Sequence, residues 1–355
     1  MTASRYSATS AGKSIVPKRL LRKFLVAGWI VLVTLGGLEV AVRMWGYSQR
    51  HMYDPIYMSY EGAEDIPYIQ KPNLVEARAR GLAVINTDSL GLRAKTAGVS
   101  YGLKRQHDYR IAIVGDSITF GEGVRRTEDT FAQVLEDSLV QREQSVTVKV
   151  FNYGTSAYSV KEMAATLRYR MLDIQPDLVV MAIIPSDLNL ARTPTIDDSG
   201  YLIDQKLSYL SPPSSMARQV LREIHLTYIL RDIGLLWFFK RLDIAQVLAR
   251  GEIPESYRYI QQFKETAEQR GISHMIVLLP RMQRNAWGPL PNQLACDRIT
   301  HIDLSFLSNE FTEEQYNASR FDPHPSPAVH HRIGEVLADY VRHKQLKFVG
   351  QAQSN

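Results

Sequence analysis

The chain predicts an α/β protein, a central and mostly parallel sheet with helices on both faces, preceded by one N-terminal transmembrane helix. Three observations lead there. From residue 109 to residue 345, short and continuously apolar runs alternate with stretches of helical period. Strands without a polar side must be covered on both faces, which is the habit of parallel sheets. Each run then ends on glycine or polar residues, and in open sheets sites form beyond the carboxyl ends of the strands. The third observation is a long apolar stretch behind a basic cluster at the N-terminus.

Residues 1–23 form a basic tail. Six of the 42 Lys and Arg residues stand there (Arg5, Lys13, Lys18, Arg19, Arg22 and Lys23) with no acid among them, and the remaining 36 face 37 acids. The body is therefore near neutral, and no nucleic-acid footprint is expected. Residues 24–46 read as the transmembrane signal anchor. "FLVAGWIVLVTLGGLEVAVRMWGY" is interrupted only by Thr34, Glu39 and Arg43, and about 20 such residues cross a bilayer core. Lys18 to Lys23 favour a cytoplasmic N-terminus, with Trp45 and Tyr47 at the far interface. A cleaved signal peptide is the competing reading, but "GGLEVA" is a poor cleavage site. The rest of the chain is then expected outside the cytoplasm.

Residues 47–108 are rich in Tyr, Pro and Gly and predict an irregular lead-in with short strands, including the turn-like "INTDSLGLRA" at 85–94. Regular structure follows at 109–345. "YRIAIVG" is a strand, "TFAQVLEDSLVQR" a helix and "VTVKVFNYG" a strand; "SVKEMAATLRYRML" is a helix opened by a Ser159–Glu162 capping box. "DLVVMAII" is the next strand. Residues 190–252 break the alternation and read as a helical insertion, with "LLWFFK" at 235–240 as either a buried face or a lid. "PESYRYIQQFKETAEQRG" is a helix, "SHMIVLLP" a strand, and "NAWGPLPN" at 285–292 a rim loop. "SPAVHHRIGEVLADYVRHK" is a last helix with Ser326 as its N-cap. Residues 346–355 are a polar tail. Cys296 stands alone, so an intrachain disulfide is excluded and a buried thiol is expected.

The strand exits carry the chemistry. The first delivers Gly115, Asp116 and Ser117, the second Asn152, Tyr153 and Gly154, and the third Pro185, Ser186, Asp187 and Asn189. A serine alone is a poor nucleophile and needs a base, an orienting group and donors for the oxyanion. "FDPHPSP" supplies Asp322 and His324 before the last helix. The bland reading of Ser117 is a helix cap; Asp116 is expected to brace the turn, and His330 and His331 to be structural. His225, His274 and His301 lack ligand spacing, so no metal and no cofactor are implied.

Four ordered blocks, "GDSITFGEGV", "NYGTSAYS", "IPSDLN" and "DPHPSPAVHHRIGEVLADYV", resemble those of the SGNH or GDSL-type hydrolases. The anchor ending "LEVAVRMWGY", the lead-in "INTDSLGLRA" and "GVRRTEDTFAQVLE" are similar to the membrane-anchored bacterial branch of that family. The resemblance implies a flavodoxin-like three-layer sandwich in which Ser117 is the nucleophile, His324 the base and Asp322 its orienting acid. It also implies an oxyanion hole from the backbone N–H groups of Ser117 and Gly154 plus an asparagine side chain, with Asp116 and Asp187 lining the site. Two departures stand out. The third block has Ile-Pro-Ser-Asp where Gly-x-Asn-Asp is usual, so the third donor is either Ser186 or Asn189. Asp and His are one residue apart, where the commoner spacing is two. The expected activity is hydrolysis of acyl esters on an envelope or exported glycan, with an acylated carbohydrate and possible envelope polysaccharide machinery as partners. The alternatives are an O-acyltransferase using the same triad and a non-catalytic glycan-binding or scaffold protein.

Overall fold

A computed structural model of the chain describes residues 18–47, 53–142, 146–190, 194–204, 220–221, 223–230, 233–234, 253–280 and 287–346. Helix α1 (Lys18–Trp45) is the only helix among them long and apolar enough to cross a membrane. The lead-in folds as a hairpin, β1 (Tyr57–Ser59) with β2 (Tyr68–Gln70), and a three-stranded sheet, β3 (Ala77–Arg78), β4 (Val84–Thr87) and β5 (Arg93–Ala94). The turn between β4 and β5 is shaped by Asp88, whose Oδ1 accepts the N–H groups of Leu90 at 2.9 Å and Leu92 at 2.8 Å.

Five parallel strands make the central sheet: β6 (Asp108–Gly115), β7 (Thr147–Asn152), β8 (Leu178–Ile183), β11 (Ser273–Leu278) and β12 (His301–Asp303), with the small hairpin β9 (Pro194–Ile196) and β10 (Leu202–Asp204) outside it. Their spatial order is β7-β6-β8-β11-β12. In order of appearance this is 2-1-3-4-5, the flavodoxin-like arrangement, with its switch point between the first and third strands. Ser117 follows the first strand and so stands at that point. Strand β12 is too short and too polar, His-Ile-Asp, to have been read from periodicity.

Successive residues of each strand serve opposite faces, as the pleat requires. Ala112 and Val114 of β6 join Met163 and Leu167 of α4 (Val160–Tyr169) and Ile260 and Phe263 of α5 (Ile253–Gln269). Tyr68 and Ile66 of the lead-in belong to the same apolar cluster, which ties residues 53–94 to the sheet. Ile111 and Ile113 face the other way, onto Phe131 and Leu135 of α3 (Phe131–Arg142) and Ile333 and Leu337 of α8 (Pro327–Val341). Between α5 and α8 lie two short helices, α6 (Leu290–Cys296) and α7 (Glu313–Tyr316), and the hairpin β13 (Asn317–Ser319) with β14 (Asp322–Pro325). The Ser159–Glu162 capping box opens α4 as expected, both of its bonds being made.

Two local expectations are corrected. Ser326 holds the N-cap position of α8 as expected, but its hydroxyl donates to the Gln315 carbonyl at 2.6 Å, so the cap lacks its side-chain bond. Cys296 is exposed, because it closes the short helix α6 on its outer side. Most of the 190–252 insertion, the 235–240 stretch, residues 285–286 and the tail from 347 lie outside the described residues.

Candidate active site

Strand β6 hands over to helix α2 (Ser117–Phe120) through Asp116. The Asp116 carboxylate accepts the Ile118 N–H at 2.9 Å, so the cap is filled by the acid. That leaves the Ser117 hydroxyl, otherwise near Asp116 at 3.4 Å, available to another partner. Its partner is His324 Nε2, 3.0 Å away. On the far side of the ring, Nδ1 is 2.6 Å from Asp322 Oδ1, and the same carboxylate oxygen accepts the His324 N–H at 3.2 Å. Asp322 is buried. The tight Asp-Pro-His spacing therefore works, because β14 is extended and sends both side chains to one place. Burial draws the His324 imidazole toward a lower pKa, but the Asp322 hydrogen bond and the charges of Glu122, Asp322 and Asp116 outweigh it. The ring titrates above the ordinary histidine range.

Glu122 went unnoticed in the sequence. Its flanking glycines, Gly121 at φ 90° and Gly123 at φ 81°, turn the chain in the left-handed region so that the carboxylate points inward. The side chain is only 3% exposed, and Oε2 lies 3.3 Å from His324 Nε2. Its other oxygen accepts the Ser156 hydroxyl, and the Arg80 charge faces it. A glutamate between two glycines reads as a solvated turn. Only the fold reveals that it meets the imidazole.

The second exit is stitched to the first. Asn152 donates its amide to the Thr119 carbonyl at 2.8 Å, and the Thr155 N–H reaches the Gly115 carbonyl at 3.0 Å. Here the expectation for Gly154 is corrected. Its N–H donates to Asn152 Oδ1 at 2.9 Å, so that hydrogen is already taken. Glycine is required for a different reason, since a Cβ would fall 2.2 Å from the Phe120 nitrogen. Three residues on, Ala157 holds φ 67°, a conformation that costs an L-residue about 1–2 kcal/mol. Among the described residues no acceptor takes the N–H of Ala157, and none takes that of Ser117. Ala157 adjoins Ser156, which is bonded to Glu122 beside His324.

At the third exit Asp187 is buried and its Oδ2 accepts the Ile184 N–H at 2.8 Å, which makes it a brace for the turn. Ser186 is exposed; Asn189 is half-buried. His330 is buried in α8, stacks on Phe131 and accepts the Phe131 N–H at 3.2 Å; burial pushes its pKa down to about 3. Its role is structural. Among the described residues no group of three or more His, Cys, Asp or Glu is placed to hold a metal ion.

No family model matches the chain. No curated protein matches it either. Solved structures do, among them three of low identity. A member of the lipolytic protein G-D-S-L family from Veillonella parvula shares 14% identity over 64% of this chain and 94% of that one, with a TM-score of 0.37. A mutant acetyl-xylooligosaccharide esterase from Geobacillus shares 13% over 66% of this chain and 93% of that one, TM-score 0.40. A two-domain esterase active on acetylated mannans shares 13% over 66% of this chain, TM-score 0.41, and the chain spans about half (49%) of that esterase's length.

Proposed function

We propose that the chain is a serine ester hydrolase of the SGNH type, held at the inner membrane by α1, which removes acyl groups such as acetyl from an envelope or exported glycan. The observation that carries the reaction class is the continuous hydrogen-bonded line from Ser117 Oγ through the two nitrogens of His324 to Asp322, at 3.0 Å and 2.6 Å. The location and the glycan rest on the apolar α1 and on the sequence blocks alone.

In this reading Ser117 Oγ attacks the ester carbonyl carbon while His324 Nε2 takes its proton. Asp322 keeps Nδ1 protonated and stabilises the imidazolium that forms. The oxyanion is met by the N–H of Ser117 and, in place of Gly154, by that of Ala157, a reading supported by the lack of an acceptor for either N–H among the described residues and by the bond from the adjoining Ser156 to Glu122. Asn189 supplies the third donor, a role supported by its half-buried position where Ser186 is exposed. Collapse of the intermediate returns the proton to the leaving sugar oxygen. Water, activated by the same histidine, then releases the acid. Glu122 adds a second negative charge beside the imidazolium.

The test is Ser117→Ala in the full chain. Hydrolysis of a short-chain nitrophenyl ester and labelling by a fluorophosphonate probe are both expected to vanish while the circular dichroism spectrum stays that of the wild type. Persistence of either would remove Ser117 from the chemistry. Product analysis with a sugar acceptor present separates hydrolysis from acyl transfer.

A further inference from the structure

The end of α1 and the candidate site are joined in the fold. Trp45 and Tyr47 stack at 5.7 Å, and both meet the ring of Phe321 edge-on, at 5.0 Å and 5.2 Å. Phe321 immediately precedes Asp322. One and a half turns back along α1 stands Glu39, the lone acid of the apolar stretch. Its carboxylate accepts the N–H of His225 at 2.9 Å and of Leu226 at 2.8 Å, and Arg43 Nε donates to it at 2.7 Å. Arg43 also donates to the Glu223 carbonyl at 3.0 Å. Residues 223–226, part of the insertion, are thereby clasped to α1.

Depth follows from helix geometry. Glu39 lies six residues before Trp45, or about 9 Å along the axis at 1.5 Å per residue. With Trp45 at the interface, where tryptophan settles, the clasp falls about 5–10 Å into the headgroup and acyl boundary, the depth of interfacial helices. The clasped segment has the right surface for it. Val220, Leu221, Ile224, Leu230 and Ile233 are large, apolar and 38–60% exposed. At that depth a carboxylate needs partners, and Glu39 has three.

We infer that residues 220–221, 223–230 and 233–234 form a second membrane contact beside α1, with the lipid bilayer as occupant, and that the pair holds the Ser117 site against the bilayer surface. The inference rests on α1 being a retained anchor. Its consequence is a substrate class: an acyl ester carried on a membrane-attached molecule. Such a substrate meets the enzyme in two dimensions, and Asp322 is fixed one residue from the aromatic cluster at the interface.

The experiment uses the full chain with Cys296→Ser as background, reconstituted in phosphatidylcholine and phosphatidylglycerol vesicles. Nitroxides are placed through Ile224→Cys, Leu230→Cys or Ile233→Cys, with Val31→Cys in α1 and Leu103→Cys, 90% exposed, as references. Collision with oxygen reports lipid, and collision with a nickel chelate reports water. The three insertion labels are expected to show an oxygen-to-nickel ratio severalfold above that of Leu103→Cys, at a shallower depth than Val31→Cys. Nickel-dominated labels at all three, with Val31→Cys still in lipid, overturn the second contact and leave the anchor standing. Nickel-dominated collision at Val31→Cys overturns both. Shielding from both reagents with spin–spin broadening means a second copy covers the face, and this too overturns the proposal.

Discussion

The first and third strands of the sheet end in turns of nearly mirrored composition, Asp116-Ser117 and Ser186-Asp187, and only one of them carries a serine in the site. In both, the aspartate is a brace: Asp116 accepts the Ile118 N–H and Asp187 that of Ile184. The difference lies in what each turn is tied to. The first is stitched to the second exit by Asn152 and by the Thr155-to-Gly115 bond, and its serine meets His324. The third is closed by local bonds, such as the Asn189 N–H to the Ser186 carbonyl at 3.2 Å. Order of residues decides which serine is aimed. After the aspartate it opens a helix pointed into the crevice; before it, it faces solvent.

The comparison breaks most severely at Gly154, where the two stitched exits touch. Gly154→Ala puts a Cβ 2.2 Å from the Phe120 nitrogen and 2.5 Å from the Thr119 carbonyl carbon. Backbone on both sides cannot yield cheaply, so the cost is expected to reach roughly 3 kcal/mol or more. Thermal unfolding should show it as a fall of at least about 4 °C, with kcat/KM down at least about a hundredfold through displacement of Ser117. Pro185→Ala, in the third exit, is expected to cost less than about 1 kcal/mol. Equal losses would mean that the third exit is as constrained as the first two.

A smaller effect sharpens the role of the third exit. With Asn189 as the third donor, Asn189→Ala is expected to lower kcat about a hundredfold with KM nearly unchanged, the signature of a bond made in the transition state. Ser186→Ala should stay within about twofold of wild type. Steady-state kinetics on a nitrophenyl ester decides it, and the opposite ranking assigns the donor to Ser186.

Which features could be read from the chain follows from the same contrast. Parallel strands are apolar on both faces, so β6, β7, β8 and β11 announced themselves. The edge strand β12 did not, being three residues long with His301 and Asp303 at its ends. Ser117, His324 and Asp322 lie in short blocks whose residue types are diagnostic together. The backbone donors were harder to place, because an N–H has no letter of its own. Gly154 looked like a donor because it is a glycine, yet its N–H is taken, and Ala157 gives no hint in sequence that its φ is positive. Glu122 was hidden for a related reason: its burial depends on β14, some 200 residues later, closing over it.

That hidden carboxylate gives the subtlest prediction. In the proposed mechanism His324 must be neutral to accept the Ser117 proton, so kcat/KM should rise as pH climbs through its raised pKa. The Glu122 charge is one cause of the elevation, after the Asp322 hydrogen bond has offset burial. Glu122→Gln keeps an oxygen for the Ser156 hydroxyl and turns an amide toward Nε2. Without the charge the imidazolium is less favoured, and the midpoint of the acid limb should move to lower pH. At pH 5 the variant should then keep a severalfold larger fraction of its plateau rate than wild type does. The plateau itself should fall, because an amide N–H facing Nε2 competes with the serine hydroxyl for the same lone pair. The two effects separate in a full pH profile: a lowered plateau with an unmoved midpoint would mean that Glu122 orients the ring without acting on its charge.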